Sequence, residues 1–172
     1  MYNVGLVKYT TPYESLKKAI DNAGGIDEIK GNSKVFIKPN FVIWYDGVPF
    51  PKYGVLTTAR MIEDLVILLN DHGITDLTLI EGIVKADESS DSLLSLASKG
   101  MGLDHLTKKY GLKMIDVHNA KFADIKLDDV TLSVNADILN ADHIINMPVL
   151  KTHLQCKISL GIKNLKGLIN ID

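Results

Sequence analysis

The amino-acid sequence predicts an α/β fold: an open, mainly parallel, doubly wound sheet with helices on both faces and a small hairpin insertion. Three observations carry this reading. Short apolar runs rich in Val, Ile and Leu alternate with stretches whose apolar residues recur at helical spacing, the pattern of strands joined by crossover helices. The order helix, glycine, strand recurs three times, at Gly24-Gly25, Gly73 and Gly111. Glycine ends helices because it accepts the left-handed backbone of the C-terminal cap. The run SKVFIKPNF, finally, has the continuous hydrophobicity of a buried strand and is halted by Pro39, which cannot donate to a ladder.

In chain order, NVGLVKY (3–9) alternates and is read as a first strand. Residues 13–22 place Leu16, Ala19 and Ile20 on one helical face. After SKVFIKPNF, Thr57 or Thr58 can cap a helix that runs to Asn70, with Ile62, Leu65, Val66 and Leu69 at helical spacing. TDLTLIEG is the next strand. A polar tract over 87–92 leads into a short helix at 93–99, and a further helix covers 103–110. KMIDV is a strand, FADIKL and VTLSV flank Asp128-Asp129 as a hairpin, 135–141 makes a helical turn, and HIINM is another strand. In CKISLGIKNLKGL and just beyond it, Ile158, Ile162, Leu165 and Ile169 fall on one helical face, with Gly161 and Asn164 beside Lys157 on another. A glycine inside a helix costs ~1 kcal/mol against alanine, so Gly161 marks close approach of a ligand or of packed backbone.

A chain of 172 residues is read as one α/β domain over 1–172, able to bury a core without staples. Nineteen basic and 21 acidic residues leave a net charge of −2, which argues against a nucleic-acid protein. The single Cys156, read as a small buried filler, excludes a disulfide framework and any iron–sulfur cluster ligated by this chain alone. No charged leader precedes an apolar stretch, and no apolar run approaches the ~20 residues of a membrane span, so a cytoplasmic protein without membrane association is expected.

Charge is unevenly placed. Between Asp142 and Asp172 no acid occurs, yet Lys151, Lys157, Lys163 and Lys166 do. They are interleaved with Ile158, Leu160, Ile162 and Leu165, which are expected to be largely buried, bringing ammonium groups close to packed structure as the floor of an anion site. Residues 41–56 show no periodicity and hold Phe41, Trp44, Tyr45, Phe50 and Tyr53 with Pro49 and Pro51. Loops of that length are uncommon unless functional, as a flap over a ligand or a surface for a partner.

In open parallel sheets, ligands bind beyond the carboxyl ends of the strands. Those ends here carry Lys38 and Asn40, then Glu81 before Gly82, then Asp116 and His118, and finally Asn146 followed by Lys151, Thr152 and His153. Singly, Lys38 reads as a solvated charge, Asn40 as a turn residue and His153 as structural; convergence at one rim is what favours a site. His72, His105 and His143 are read as surface or packing residues. Lys151, His153 and Glu81 are the candidate catalytic residues; Lys38, Asn40, Asn146, Lys163 and Asn164 are the candidates for binding a small anionic ligand. Glu81, His118 and His153 are the alternative candidates for a divalent metal. Common nucleotide and hydrolase motifs are missing: Gly100-Met101-Gly102 lacks the third glycine and a preceding strand, no phosphate loop occurs, and Ser159 stands four residues before Lys163 rather than three.

VFIKPNF, the helix start at Thr57-Thr58, LIEG and above all ADHIINMPVLKTHLQCKISLGIKNLKG resemble the prokaryotic family catalogued as domain of unknown function 362. The resemblance implies a strand ending in Lys-Pro-Asn, a Glu-Gly strand end, an Asn-x-Pro-x-x-Lys-x-His turn and a Gly-x-Lys-Asn-x-x-Gly helix. It also implies that the chain corresponds to the N-terminal part of a longer architecture, often fused to ferredoxin-type iron–sulfur domains. A ferredoxin-like partner or a homo-oligomer is expected on that ground. A fainter similarity to nickel-pincer lactate racemases implies small carboxylate substrates. Three functions follow: an enzyme or enzyme part acting on a small anionic metabolite, a docking module for an electron-transfer partner, or a truncated family member without activity.

Overall fold

A computed structural model of the chain describes residues 2–42, 53–83 and 93–170. Val35, Phe36 and Ile37 project apolar groups alternately to both faces of a strand, so this segment can be stable only at the centre of a covered sheet. It is strand β1 (Val35–Lys38), preceded by helix α1 (Glu14–Ala23). Helix α2 (Ala59–Asp71) crosses to β2 (Leu77–Glu81), and α3 (Leu93–Met101) and α4 (Asp104–Tyr110) cross to β3 (Lys113–Asp116). A 3₁₀ turn (Val117–Asn119), a hairpin of β4 (Phe122–Leu127) and β5 (Val130–Asn135) and a second 3₁₀ turn (Ala136–Asn140) then return the chain to β6 (His143–Asn146).

The four strands β3-β2-β1-β6 form one parallel sheet. The chain winds outward from β1 through β2 to β3 and comes back on the other side of β1. This reversal leaves a crevice at the carboxyl ends of β1 and β6. There the register sets Lys38 beside Asn146.

Period two sorts the side chains. Val35, Ile37, Leu77 and Leu79 face Ile62, Leu65, Val66 and Leu69 of α2, Ala97 of α3 and Leu106 of α4, with Leu16 and Ile20 of α1 at the margin. Phe36 and Ile80 point the other way, into a smaller cluster with Val117, Phe122, Ile138 and Leu168. Helices α1 to α4 thus gather on one face, and 3₁₀ turns with the hairpin cover the other. Helix starts and stops follow the residues that signal them. Thr58 accepts from the Met61 N–H at 3.3 Å as the N-cap of α2, and Gly24 and Gly111 close α1 and α4 at positive φ. No helix among the described residues is long and apolar enough to cross a membrane.

Four expectations fail. NVGLVKY pairs with no strand: Val4 is 86% and Leu6 94% exposed, and the segment rests on α1 so closely that a Cβ on Gly5 would strike the carbonyl oxygen of Ala19. Alternation makes a strand only where an edge receives it. Lys157–Ser159 is not helical but forms β8, an antiparallel partner of β7 (Lys151–His153), so α5 spans only Gly161–Leu165, followed by a 3₁₀ turn at Lys166–Leu168. On this small hairpin-and-helix unit Ile158, Leu160, Ile162 and Leu165 are exposed rather than buried, because no second layer among the described residues lies over them. Cys156, in the β7–β8 turn, is likewise exposed rather than a core filler. The expected aromatic stretch over 44–51 and the polar tract over 87–92 lie outside the described residues.

Candidate functional site

Beyond β1 the chain turns at Pro39, and three hydrogen bonds of Thr57, two through its side chain and one through its backbone, fix its course. The Asn40 N–H donates to Thr57 Oγ1 at 2.8 Å, the Thr57 N–H donates to the Asn40 carbonyl at 3.0 Å, and Thr57 Oγ1 donates to the Met147 carbonyl at 2.8 Å. Thr57 therefore couples the exit of β1 to the exit of β6. Across the sheet, Glu81 at the end of β2 receives Lys38. Lys38 Nζ donates to Glu81 Oε1 at 2.5 Å and to the Pro39 carbonyl at 2.8 Å. Glu81 also accepts the N–H of Phe41 (2.9 Å, Oε2) and of Gly82 (2.9 Å, Oε1). With Lys38 1% and Glu81 2% exposed, this is an ion pair taken out of water. Burial pushes the Glu81 carboxyl up, against the pull of Lys38 and the two N–H donors. Burial pushes the Lys38 ammonium down, with Lys163 adding to the effect and Glu81 opposing it. Both shifts narrow the gap between the ionised pair and the neutral pair.

Gly167 seals this pair. A Cβ there would lie 3.3 Å from Glu81 Oε1 and from Lys38 Cε, so no larger residue fits without displacing the charges.

Asn164 is the hub of a second network. Its amide nitrogen donates to the carbonyls of Lys38 (3.2 Å) and Pro39 (3.0 Å) and to Asn146 Oδ1 (2.7 Å). Its oxygen accepts from Asn40 Nδ2 at 2.7 Å. Asn146 Nδ2 in turn donates to the Gly161 carbonyl at 2.9 Å, tying α5 to β6. Lys151 Nζ donates to Asn40 Oδ1 at 2.5 Å and to the Val55 carbonyl, which fixes the orientation of the Asn40 amide. Desolvation holds the Lys151 ammonium below the usual lysine range, and the nearby Lys163 charge lowers it further.

A cleft of about 270 Å³ opens over these groups, lined among others by Lys38, Asn40, Glu81, His153, Lys163 and Asn164. The structure thus brings six of the sequence-predicted residues to one cavity. Asn146 and Lys151 stand one hydrogen bond behind it. His153 sits in β7 with its Nδ1 accepting the N–H groups of Gln155 (3.2 Å) and Cys156 (3.1 Å), so the neutral ring carries its proton on Nε2. It is therefore built as a donor. Lys163 and Lys166 line the cleft with no acidic partner among the described residues, whereas the charge of Lys38 is already matched by Glu81. Among the described residues the cleft carries surplus positive charge.

His118 is exposed, near Gly82, and does not join His153 and Glu81 in a metal site. Among the described residues no group of three His, Cys, Asp or Glu could hold a metal ion. Glu81 spends its oxygens on three internal donors, which explains why it is unsuited to ligation. Nor does the single exposed Cys156 fit an iron–sulfur cluster, which needs several thiolates. Two contributors were not legible as site residues in the sequence, while Lys166 was foreseen only as one of the lysines flooring an anion site. They are Thr57, foreseen only as a cap, and Gly167. The only signal for the last was its place at the close of the Gly-x-Lys-Asn-x-x-Gly pattern.

A family model described as Domain of unknown function (DUF362) matches residues 35–171, a span that holds every residue of the cleft and its supporting networks. Among curated proteins no match to the chain is found.

Proposed function

This chain belongs to the DUF362 family, and from that premise we propose that its strand-end cleft binds a small anionic metabolite and acts on it. The observation that carries the reading is the pair of lysines, Lys163 and Lys166, with no acidic partner among the described residues, over a buried and already neutralised Lys38–Glu81 pair. Fixed positive charge beside low-dielectric walls attracts an anion more strongly than the same charge on an open surface. In this reading Lys163 and Lys166 neutralise a carboxylate or phosphate and the Nε2–H of His153 donates to it. Asn40, Asn146, Asn164 and Lys151 hold the strand exits in place, and Lys38 with Glu81 supplies and accepts protons. The volume suits a ligand of a few heavy atoms, below the usual range for drug-sized molecules.

The test is a thermal-shift panel of small organic acids and phosphates on wild type and on Lys163→Ala/Lys166→Ala. Binding to the folded state alone raises stability by about 2.7 kcal/mol at a hundred times Kd. Stabilisation of wild type that is lost in the double variant supports the proposal; identical responses of the two proteins refute it.

A second reading is favoured by one specific observation. Ile158, Leu160, Ile162 and Leu165 are exposed together beside lysines that have no acidic partner among the described residues, a surface that suits an acidic, ferredoxin-like partner. Co-elution with such a protein in size-exclusion chromatography, abolished by Ile162→Asp, supports it. Co-elution that survives the substitution, or none at all, counts against it.

A further inference from the structure

The ammonium group of Lys38 is placed as a nucleophile is placed in imine-forming enzymes. It is desolvated, in hydrogen-bond contact with a carboxyl group, close to a second cation, and it lines a cavity. Two of its three N–H bonds are spent, on Glu81 Oε1 and on the Pro39 carbonyl. Resting on the anion reading above, we infer that the ligand is a small keto acid whose carbonyl carbon condenses with Lys38 Nζ while its carboxylate lies against Lys163 and Lys166.

The chemistry balances within the residues present. A proton moves along the 2.5 Å contact from Lys38 to Glu81, giving amine and carboxylic acid. Because burial disfavours both charged forms, this transfer costs less here than in water. The amine lone pair attacks the carbonyl carbon, forming a C–N bond as the carbonyl π bond breaks, and one proton of the new ammonium passes to the oxygen, which becomes hydroxyl. Glu81 protonates that hydroxyl, the C–O bond breaks, and water leaves. The iminium nitrogen keeps one proton and faces the carboxylate of Glu81, so the pair retains the charges it began with. No oxidant, reductant or metal enters the step. Gly167 also has a part in it: a Cβ there would lie 3.4 Å from Lys38 Nζ, so a side chain at this position would crowd the amine further.

The test is trapping on the wild-type protein. Pyruvate and sodium cyanoborohydride are added at neutral pH, and the adduct is located by peptide mass spectrometry. The expected product is a single modification of Lys38, heavier by pyruvic acid less one oxygen atom, and its formation is slowed by excess inorganic phosphate. Glu81→Gln should label at least about tenfold more slowly, as expected for loss of a positioned proton donor. Labelling spread over exposed lysines, labelling centred on another lysine, or no labelling overturns the inference, as does an unchanged rate in Glu81→Gln. If pyruvate and phosphate still stabilise the unlabelled protein, only the nucleophile assignment falls. If neither stabilises it, the anion reading falls with it.

Discussion

Substituting Asn164 by alanine isolates the contribution of the buried network from that of the cleft charges. The side chain is 5% exposed and makes four hydrogen bonds to groups that are themselves shielded from water. Not all of its partners would be stranded. The Pro39 carbonyl still accepts from Lys38 Nζ, and the Lys38 carbonyl still accepts the Met147 N–H at 2.9 Å. Two groups lose their partner, Asn40 Nδ2 and Asn146 Oδ1. At about 1–3 kcal/mol for each buried polar group left unsatisfied, Asn164→Ala should cost about 2–6 kcal/mol. With a urea slope of about 2 kcal/mol/M, the midpoint should fall by about 1–3 M. Asn164→Asp should be no better. It keeps an acceptor for Asn40 but sets a carboxylate against the carbonyl oxygens of Lys38 and Pro39 and the amide oxygen of Asn146. A loss below about 0.5 kcal/mol in Asn164→Ala, within the range of ordinary surface substitutions, would refute the reasoning that this residue holds the exits of β1 and β6 together.

Three further predictions follow from individual contacts. Lys38→Met strands the buried Glu81 charge and should cost about 3–5 kcal/mol in chemical denaturation, whereas Lys38→Met/Glu81→Leu should recover most of that loss; equal losses would contradict a coupled pair. Thr58→Ala removes the cap of α2 and should cost about 1 kcal/mol, read as a lower unfolding midpoint with unchanged slope. The Tyr13 hydroxyl donates to Asp71 Oδ2 at 2.7 Å, and this bond, followed by desolvation and the Asp71 charge, pushes its pKa up to about 12. A folded-state value above the unfolded one means the folded protein holds the proton longer. The contribution is therefore present below pH ~10 and is lost as pH rises towards 12. Ultraviolet titration should show one tyrosine ionising earlier in Asp71→Asn than in wild type.

Much of the architecture was legible because local signals and tertiary packing agree. Val35 and Ile37 alternate with Phe36 as a strand covered on both faces must, and Thr58, Gly73 and Gly111 punctuate helices where the chain reverses. The strand ends were legible for the same reason, since parallel direction alone brings Lys38, Glu81 and Asn146 to one rim. What failed was pattern without partner. The spacing of Ile158, Ile162, Leu165 and Ile169 fits a helix, but pairing of His153 with Lys157 makes the first of them part of a hairpin. Roles within the site were the least legible. Asn164 reads as a ligand for substrate, yet its amide is consumed by carbonyls 125 and 126 residues away in the chain, a relation no local window contains. His153 reads as a candidate catalytic residue, and only the two N–H groups aimed at its Nδ1 show which nitrogen holds the proton.

The central claim is that anions bind where the ends of β1 and β2 meet α5 and the 3₁₀ turn after it. Backbone and side-chain amide resonances followed by ¹⁵N NMR during titration with phosphate and with pyruvate test it most directly. The account predicts saturable shifts concentrated at Gly82, His153, Lys163, Asn164, Lys166 and Gly167, absent in Lys163→Ala/Lys166→Ala. Shifts centred instead on the groove between α1 and the segment after β6, around Ile20, Met61 and Val149, would contradict it.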